Sequence, residues 1–331
     1  MITARKNIVD QQTLGFYHCT NRGVRKTYPC GSEGLTGKDH SHRKDWLERR
    51  MFELCDIFSV DIYAYAILDN HYHIVLHLDP LAPLRWSDHE IAERWLNAFG
   101  GRLCQPELAK QREMKKQIIV ADNTKLKKYR KRLGSLSWFM ECLNEPRAKQ
   151  NNQEENCTAS FWEGRYSSQA LLDEVAVFSC MAYVDLTPVR DKITDKLDES
   201  DHTSIKRRLD EIKQMNPQDA HTLLNSELSE LSNQIPSKAL SMFLNRYVEL
   251  VEWTGMNIIH PNKTVIPLHI ASCLKQFNLQ HHHWFKQLEN FEQHYCHVIG
   301  SVELMKEKAR QLKKRCMKGM SAAKLFYKTS S

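Results

Sequence analysis

The chain has 331 residues, 41% hydrophobic and 26% charged, with seven Trp, eleven Tyr and twelve Phe. That composition can bury a sizeable core and excludes general disorder. The formal charge of +7 is a mild basic excess, which points to nucleic acid or another polyanion only where it is locally concentrated. The opening "MITARKNIVDQQTL" lacks the apolar run of a signal peptide, and no stretch approaches the roughly 18 apolar residues that span a bilayer. Ten cysteines are scattered without a C-x-x-C pair, which argues against a zinc ribbon or a thioredoxin motif. A soluble cytoplasmic protein with reduced thiols is expected, with no membrane partner.

In chain order, β-formers before a glycine predict a first strand over 16–21, in "GFYHCTNRGV". Apolar residues at mixed three- and four-residue steps predict an amphipathic helix over 41–58. "VDIYAYAIL" and "HYHIVLHL" flank Asp69-Asn70, a turn signal, and together read as a hairpin. Helices are expected over 87–99 and 103–117. The tract 144–160 is polar and reads as a surface loop. A helix from about Asp173 to Leu186 follows, ended by Pro188. Strand, helix and hairpin in this order predict an α+β fold on a mainly antiparallel sheet, with helices on one or both faces.

Beyond residue 195 the composition changes. Residues 195–230 carry nine acidic and five basic side chains and read as polar helices or a linker, followed by a mainly helical region with aromatic anchors such as Trp253, Trp284 and Phe291. A boundary near 195 is expected, dividing 1–195 from an accessory or DNA-binding region at 196–331. Two basic concentrations stand out. Residues 110–132 hold ten basic and two acidic residues, ending in "KLKKYRKR", and 306–318 hold seven basic residues against Glu307. For Lys125, Lys127, Lys128, Arg130 and Arg132 the two readings are phosphate contacts, with Tyr129 available to stack on a base, or a solvated helix face.

"LDNHYHIVLHL" sets three histidines in an apolar run. Alternate strand residues share a face, so His71 and His73 can converge on one ion, whereas His77 lies further along the strand and reads as structural. The competing reading is a pair of satisfied histidines, metal-free.

At "NHYHIVLHL", followed about ninety residues later by "FWEGRYSSQALLDEVAVFSCMAYVDLTPVRDKI", the chain resembles the REP-associated tyrosine transposases, single-tyrosine members of the HUH endonuclease superfamily. Four stretches carry the resemblance in order: Tyr17 to Gly23, His71-Tyr72-His73, Trp162-Glu163-Gly164-Arg165-Tyr166, and Tyr183 to Arg190. It covers about residues 14–195. The resemblance implies an HUH-type, ferredoxin-like nuclease domain acting on single-stranded DNA with hairpin or repeat structure. It also implies Tyr183 as nucleophile, His71 and His73 as ligands of Mg²⁺ or Mn²⁺, and DNA contacts for Arg165 and Tyr166. Attack by Tyr183 would leave a 5′-phosphotyrosine link and a free 3′-OH. Where the family usually has Asn, this chain has Thr187. Either its hydroxyl joins the metal site, or Asp185 or another carboxylate is recruited, or metal binding weakens.

Two rivals stand beside this reading. One is a DNA-binding descendant that no longer cleaves. The other is a small-molecule metal hydrolase using His71, His73 and His77, against which the lysine-rich segment and the absence of an H-E-x-x-H helix both count. Oligomeric state, monomer or homodimer, is not legible.

Overall fold

The computed structural model describes residues 13–23, 41–154, 161–231, 240–260 and 265–327, with backbone alone over 147–154. The N-terminal segment 1–12, Cys30, Cys157 and the tract 155–160 lie outside the described residues.

The centre is a five-stranded mixed sheet built from β1 (Gly15–Arg22), β2 (Val60–Ile67), β3 (His71–Leu78), β4 (Ser167–Leu171) and β5 (Val298–Ile299), in the order β2-β3-β1-β4-β5. Its pairs are antiparallel except β4 with β5, where Ala170 and Leu171 run parallel to Val298 and Ile299. The expected hairpin is β2 and β3, turned at Asp69-Asn70. Strand β3 is buried on both faces. Tyr72, Ile74, Leu76 and Leu78 meet one core, and Val75 meets the other on the histidine side.

The first face is covered by α1 (His42–Cys55), α2 (Asp88–Phe99), α3 (Ala109–Val120), α4 (Asn123–Leu133) and α5 (Leu136–Glu154). The histidine face is covered by α6 (Glu174–Asp185), in which every residue from Ala176 to Asp185 is buried. A helix apolar around its whole circumference needs neighbours on all sides. The region beyond 195 supplies them through α7 (Ser204–Gln214), α8 (Leu244–Ile259), α9 (His281–Glu289) and α10 (Val302–Gln311), whose core residues form one cluster with those of α6. Full burial of Tyr247, Trp284 and Phe291 in that cluster contributes about 1.5–3 kcal/mol for each side chain. The fold is thus α+β, with helices on both sheet faces and a mainly helical C-terminal region.

Both ends of α6 are pinned by residues beyond 195. At its N-cap, Asp173 accepts from Ala176 N (2.8 Å) in the capping pattern, from Ser301 N (2.7 Å) and from the Tyr327 hydroxyl (2.6 Å). At its C-terminus the buried Asp185 accepts from the Ser204 hydroxyl, Ile205 N (3.0 Å) and the Tyr247 hydroxyl (2.5 Å).

Two expectations need correction, and two strands were not read. The stretch 103–117 opens as two 3₁₀ turns, Gly101–Cys104 and Pro106–Leu108, and becomes α-helical only at Ala109. Pro106 lacks the N–H that a helix interior would use. The polar tract expected as a loop from 144 is helical up to Glu154, with Pro146 inside α5, because Glu, Arg, Ala, Lys and Gln carry high helix propensity whatever their polarity. Strands β4 and β5 were unexpected, since five and two residues give too little alternation to read.

The eight described cysteines are free thiols. No helix among the described residues is long and apolar enough to cross a membrane.

Candidate active site

Register brings the histidines together. On β1, Phe16, His18 and Thr20 stand opposite His77, Val75 and His73 of β3, and His18 also stands opposite Gln169 of β4. All project toward α6. The His71 and His73 rings meet edge to face at 5.0 Å, and Tyr183 on α6 stands edge to face with His73 at 5.7 Å. The expected nucleophile and the expected pair of ligands therefore share one site.

The hydrogen bonds set the tautomers. Gln169 Oε1 lies 2.8 Å from His18 Nδ1, so that nitrogen carries the proton and Nε2 accepts. His18 Nε2 lies 3.0 Å from His73 Nδ1, which must then donate. His71 Nδ1 donates to Asn70 Oδ1 at 2.5 Å. Burial holds both imidazoles neutral. It lowers His71 to about 4, helped by Arg22 and Arg190, and it lowers His73 well below the ordinary histidine value, helped by His18 and His71. Each ring keeps a lone pair on Nε2 while its other nitrogen is fixed by a neighbour, the arrangement a metal-ligating histidine uses.

Other predicted participants stand differently. Thr187 is buried, and its Oγ1 donates to the Tyr183 carbonyl at 3.0 Å, the i−4 bond of a helical threonine. The hydroxyl proton is committed and only oxygen lone pairs remain. Asp185, the carboxylate expected as a substitute, is committed to Ser204, Ile205 and Tyr247, which removes it as a substitute ligand. Among the described residues, no group of three or more His, Cys, Asp or Glu side chains is arranged to hold a metal. The donor set therefore fits a hard cation only in part, with two imidazoles from the protein and water or substrate oxygens in the other positions. His77 stands apart, 3.4 Å from Asp61 Oδ2 and against the Phe16 ring.

Burial pushes the Tyr183 phenol up to about 12, while the Arg190 guanidinium works in the opposite direction. Arg190 Cζ lies 4.0 Å from the centroid of the Tyr183 ring. Phe291 stacks on Tyr183 at 4.7 Å, and the neighbouring Glu292 sets Oε1 3.9 Å from His73 Nδ1. Tyr183 is left 4% exposed.

Sequence reasoning missed His18, Gln169, Phe291 and Glu292 as members of this site. His18 carried a readable signal, sitting inside a predicted strand in phase with the histidine face. Gln169 lay on an unread strand, and Phe291 and Glu292 come from a region whose placement no local pattern reveals.

The basic segment forms α4, with Lys125, Lys127 and Lys128 exposed. Lys125 pairs with Asp122 at 2.8 Å. Arg130 is engaged within the protein by the Pro83 carbonyl, the Trp86 carbonyl (2.7 Å) and Asp88 (2.5 Å). Arg132 lies over the Trp138 ring at 4.0 Å. Tyr129 stacks on Trp95 at 3.8 Å and 4°, so one face of the ring expected to receive a base is covered. Lys128, Lys131, Arg132 and Trp138 line a cavity of about 470 Å³. Tyr166 is buried, and the exposed Arg165 stands with Trp162 and Asn144 at a separate cavity of about 370 Å³.

No family model matches the chain, and no curated protein matches it. Among solved structures it is similar to one described as the REP-associated tyrosine transposase bound to a REP hairpin, with 12% identity, a TM-score of 0.37, and coverage of 63% of this chain and 86% of that one.

Proposed function

We propose that the protein cleaves and rejoins single-stranded DNA, with Tyr183 as nucleophile, in the manner of a single-tyrosine transposase acting beside a hairpin or repeat. One observation carries this reading: Tyr183 stands edge-on to His73 with Arg190 on its ring face, opposite two neutral imidazoles whose Nε2 atoms make no hydrogen bond among the described residues. The motif order from Tyr17 to Arg190 supports it, as do the exposed Lys127 and Lys128.

In the proposed step, Tyr183 Oη attacks a backbone phosphorus. The Oη–P bond forms, the P–O3′ bond breaks, and the 3′ oxygen leaves to take up a proton. The phosphotyrosine retains the phosphoester, so a 3′-OH of another strand can reverse the step without ATP. The phenol is a poor nucleophile when protonated. Arg190, against its ring, favours the phenolate and offers charge to the phosphate. The His18–Gln169 relay orients His73, and Asn70 orients His71. His71 and His73 would hold Mg²⁺ or Mn²⁺, with water or substrate oxygens in the other positions, and such an ion when bound supplies charge against the scissile phosphate.

A second reading, DNA binding without cleavage, is favoured by the cover of Phe291 over Tyr183 and by Thr187 in place of Asn. The two separate on a denaturing gel of protein incubated with labelled hairpin-bearing single-stranded DNA pools and Mn²⁺. A covalent adduct that is lost in Tyr183→Phe supports cleavage. Retained DNA binding with no adduct favours the second reading.

A further inference from the structure

Beyond the histidine site, a cavity of about 660 Å³ opens between the turn Thr187–Arg190 and helices α8 and α9. Arg190, Trp253, Asn257, Phe285, Lys286 and Asn290 line it, and its volume lies within the range of small-ligand sites. Trp253 and Phe285 form an aromatic wall with ring centroids 5.0 Å apart. Trp253 Nε1 and Arg190 Nη1 are buried and find no hydrogen-bond acceptor among the described residues, and the Arg190 guanidinium that lines the cavity also lies on the Tyr183 ring. Lys286, His281 and His282 face the same cavity, with Glu289 as the lining carboxylate. Aromatic surface and excess cationic charge together call for a ligand with a flat ring and anionic oxygens.

We infer that this cavity receives one unpaired nucleotide of the DNA strand cleaved at Tyr183, the base against Trp253 and Phe285 and a phosphate toward Arg190 and Lys286. The inference rests on the single-stranded DNA reading above and adds a role for the C-terminal region, the capture of a flanking base. Arg190 couples the two places, because the guanidinium at the cavity wall also lies on the Tyr183 ring. Base stacking and backbone charge are the interactions by which single strands are commonly held without sequence readout.

The test uses full-length Tyr183→Phe protein, which cannot cleave, and hairpin-bearing single-stranded DNA with 5-iodo-deoxyuridine distributed through the unpaired flank. Photocrosslinked peptides are identified by mass spectrometry. Crosslinks to the peptide carrying Trp253 or Phe285 are expected. Phe285→Ala should weaken binding about tenfold, and Lys286→Gln should make the log–log salt dependence shallower by about 0.7. Trp253→Phe, which keeps an aromatic face in place of the indole, serves as the conservative variant and should retain the crosslinks, and circular dichroism checks that each variant folds.

Crosslinks confined to other segments, with these variants binding normally, would overturn the inference even if the wild type forms its tyrosine adduct. Crosslinks at the cavity without any adduct would uphold it and sink the cleavage reading. Binding of free dAMP, dCMP, dGMP or TMP as tightly as the oligonucleotide would assign the cavity to a free nucleotide and overturn the assignment to DNA. Failure to bind DNA at all overturns both.

Discussion

Asp185 offers the sharpest quantitative prediction. Its carboxylate is fully buried, and accepts from Ser204, Ile205 and Tyr247. Burial nevertheless dominates, raising it from 3.8 to about 6, against the hydrogen bonds and the Arg208 charge. With the folded value above the unfolded one, the contribution to stability is fully present below about 3.8 and declines as pH rises toward 6. The loss amounts to about 3 kcal/mol across that window. Asp185→Asn has no proton to lose and keeps an acceptor for Ser204 and Ile205. Its stability relative to the wild type should therefore improve by about 2.5 kcal/mol between pH 4 and pH 7. Asp185→Ala instead strands Ile205 N and the Tyr247 hydroxyl, since the Ser204 hydroxyl can turn to the Tyr65 carbonyl at 3.2 Å; at about 1–3 kcal/mol for each donor, partly offset by removal of the buried charge, the net loss is about 1 kcal/mol at neutral pH. Urea unfolding of the three proteins at both pH values measures this. A difference between wild type and Asn that stays constant with pH would refute the reasoning.

Three further outcomes are expected. His73→Ala should abolish adduct formation while leaving hairpin DNA affinity within about twofold, and equal loss of both by gel shift would remove its assigned role. Gln169→Leu takes away the acceptor that sets the His18–His73 relay and should weaken Mn²⁺ binding about 10–100-fold, read by electron paramagnetic resonance of free Mn²⁺; unchanged affinity would show that the relay does not orient a ligand. Replacing Lys127 and Lys128 together with Gln should make the salt dependence of single-strand binding shallower by about 1.4, and an unaltered slope would take α4 out of the DNA interface.

Legibility in the sequence followed the reach of each signal. The hairpin and α6 were readable because eight- and twelve-residue elements repeat their pattern several times. The pairing of His71 with His73 was readable because strand periodicity is local. Thr187 could be recognised as a departure from the resemblance, although its bond to the Tyr183 carbonyl could not. Arg130 shows the limit of charge counting: in "KLKKYRKR" it resembles its neighbours, yet it braces the Pro83–Asp88 segment. His18, Gln169 and Glu292 belong to β1, β4 and the segment after α9, and only long-range pairing brings them beside β3.

The same long-range contacts bear on what the C-terminal region is for. The motifs that suggest a nuclease end at Arg190, and a chain read only to that point would leave α6 unsupported. Asp173 at one end and Asp185 at the other find their acceptor duties in Ser301, Tyr327, Ser204, Ile205 and Tyr247, and Phe291 stacks on the tyrosine between them. Both ends of the helix that carries Tyr183 are thereby tied to the region beyond 195. A truncation near 195 would remove all of those partners and expose an apolar helix together with two aspartates left without them. Loss of activity in such a fragment would therefore report loss of a supporting shell before it reported loss of a separate DNA-binding module. Point substitutions at Phe285 and Lys286, which leave both aspartates satisfied, can separate those two roles.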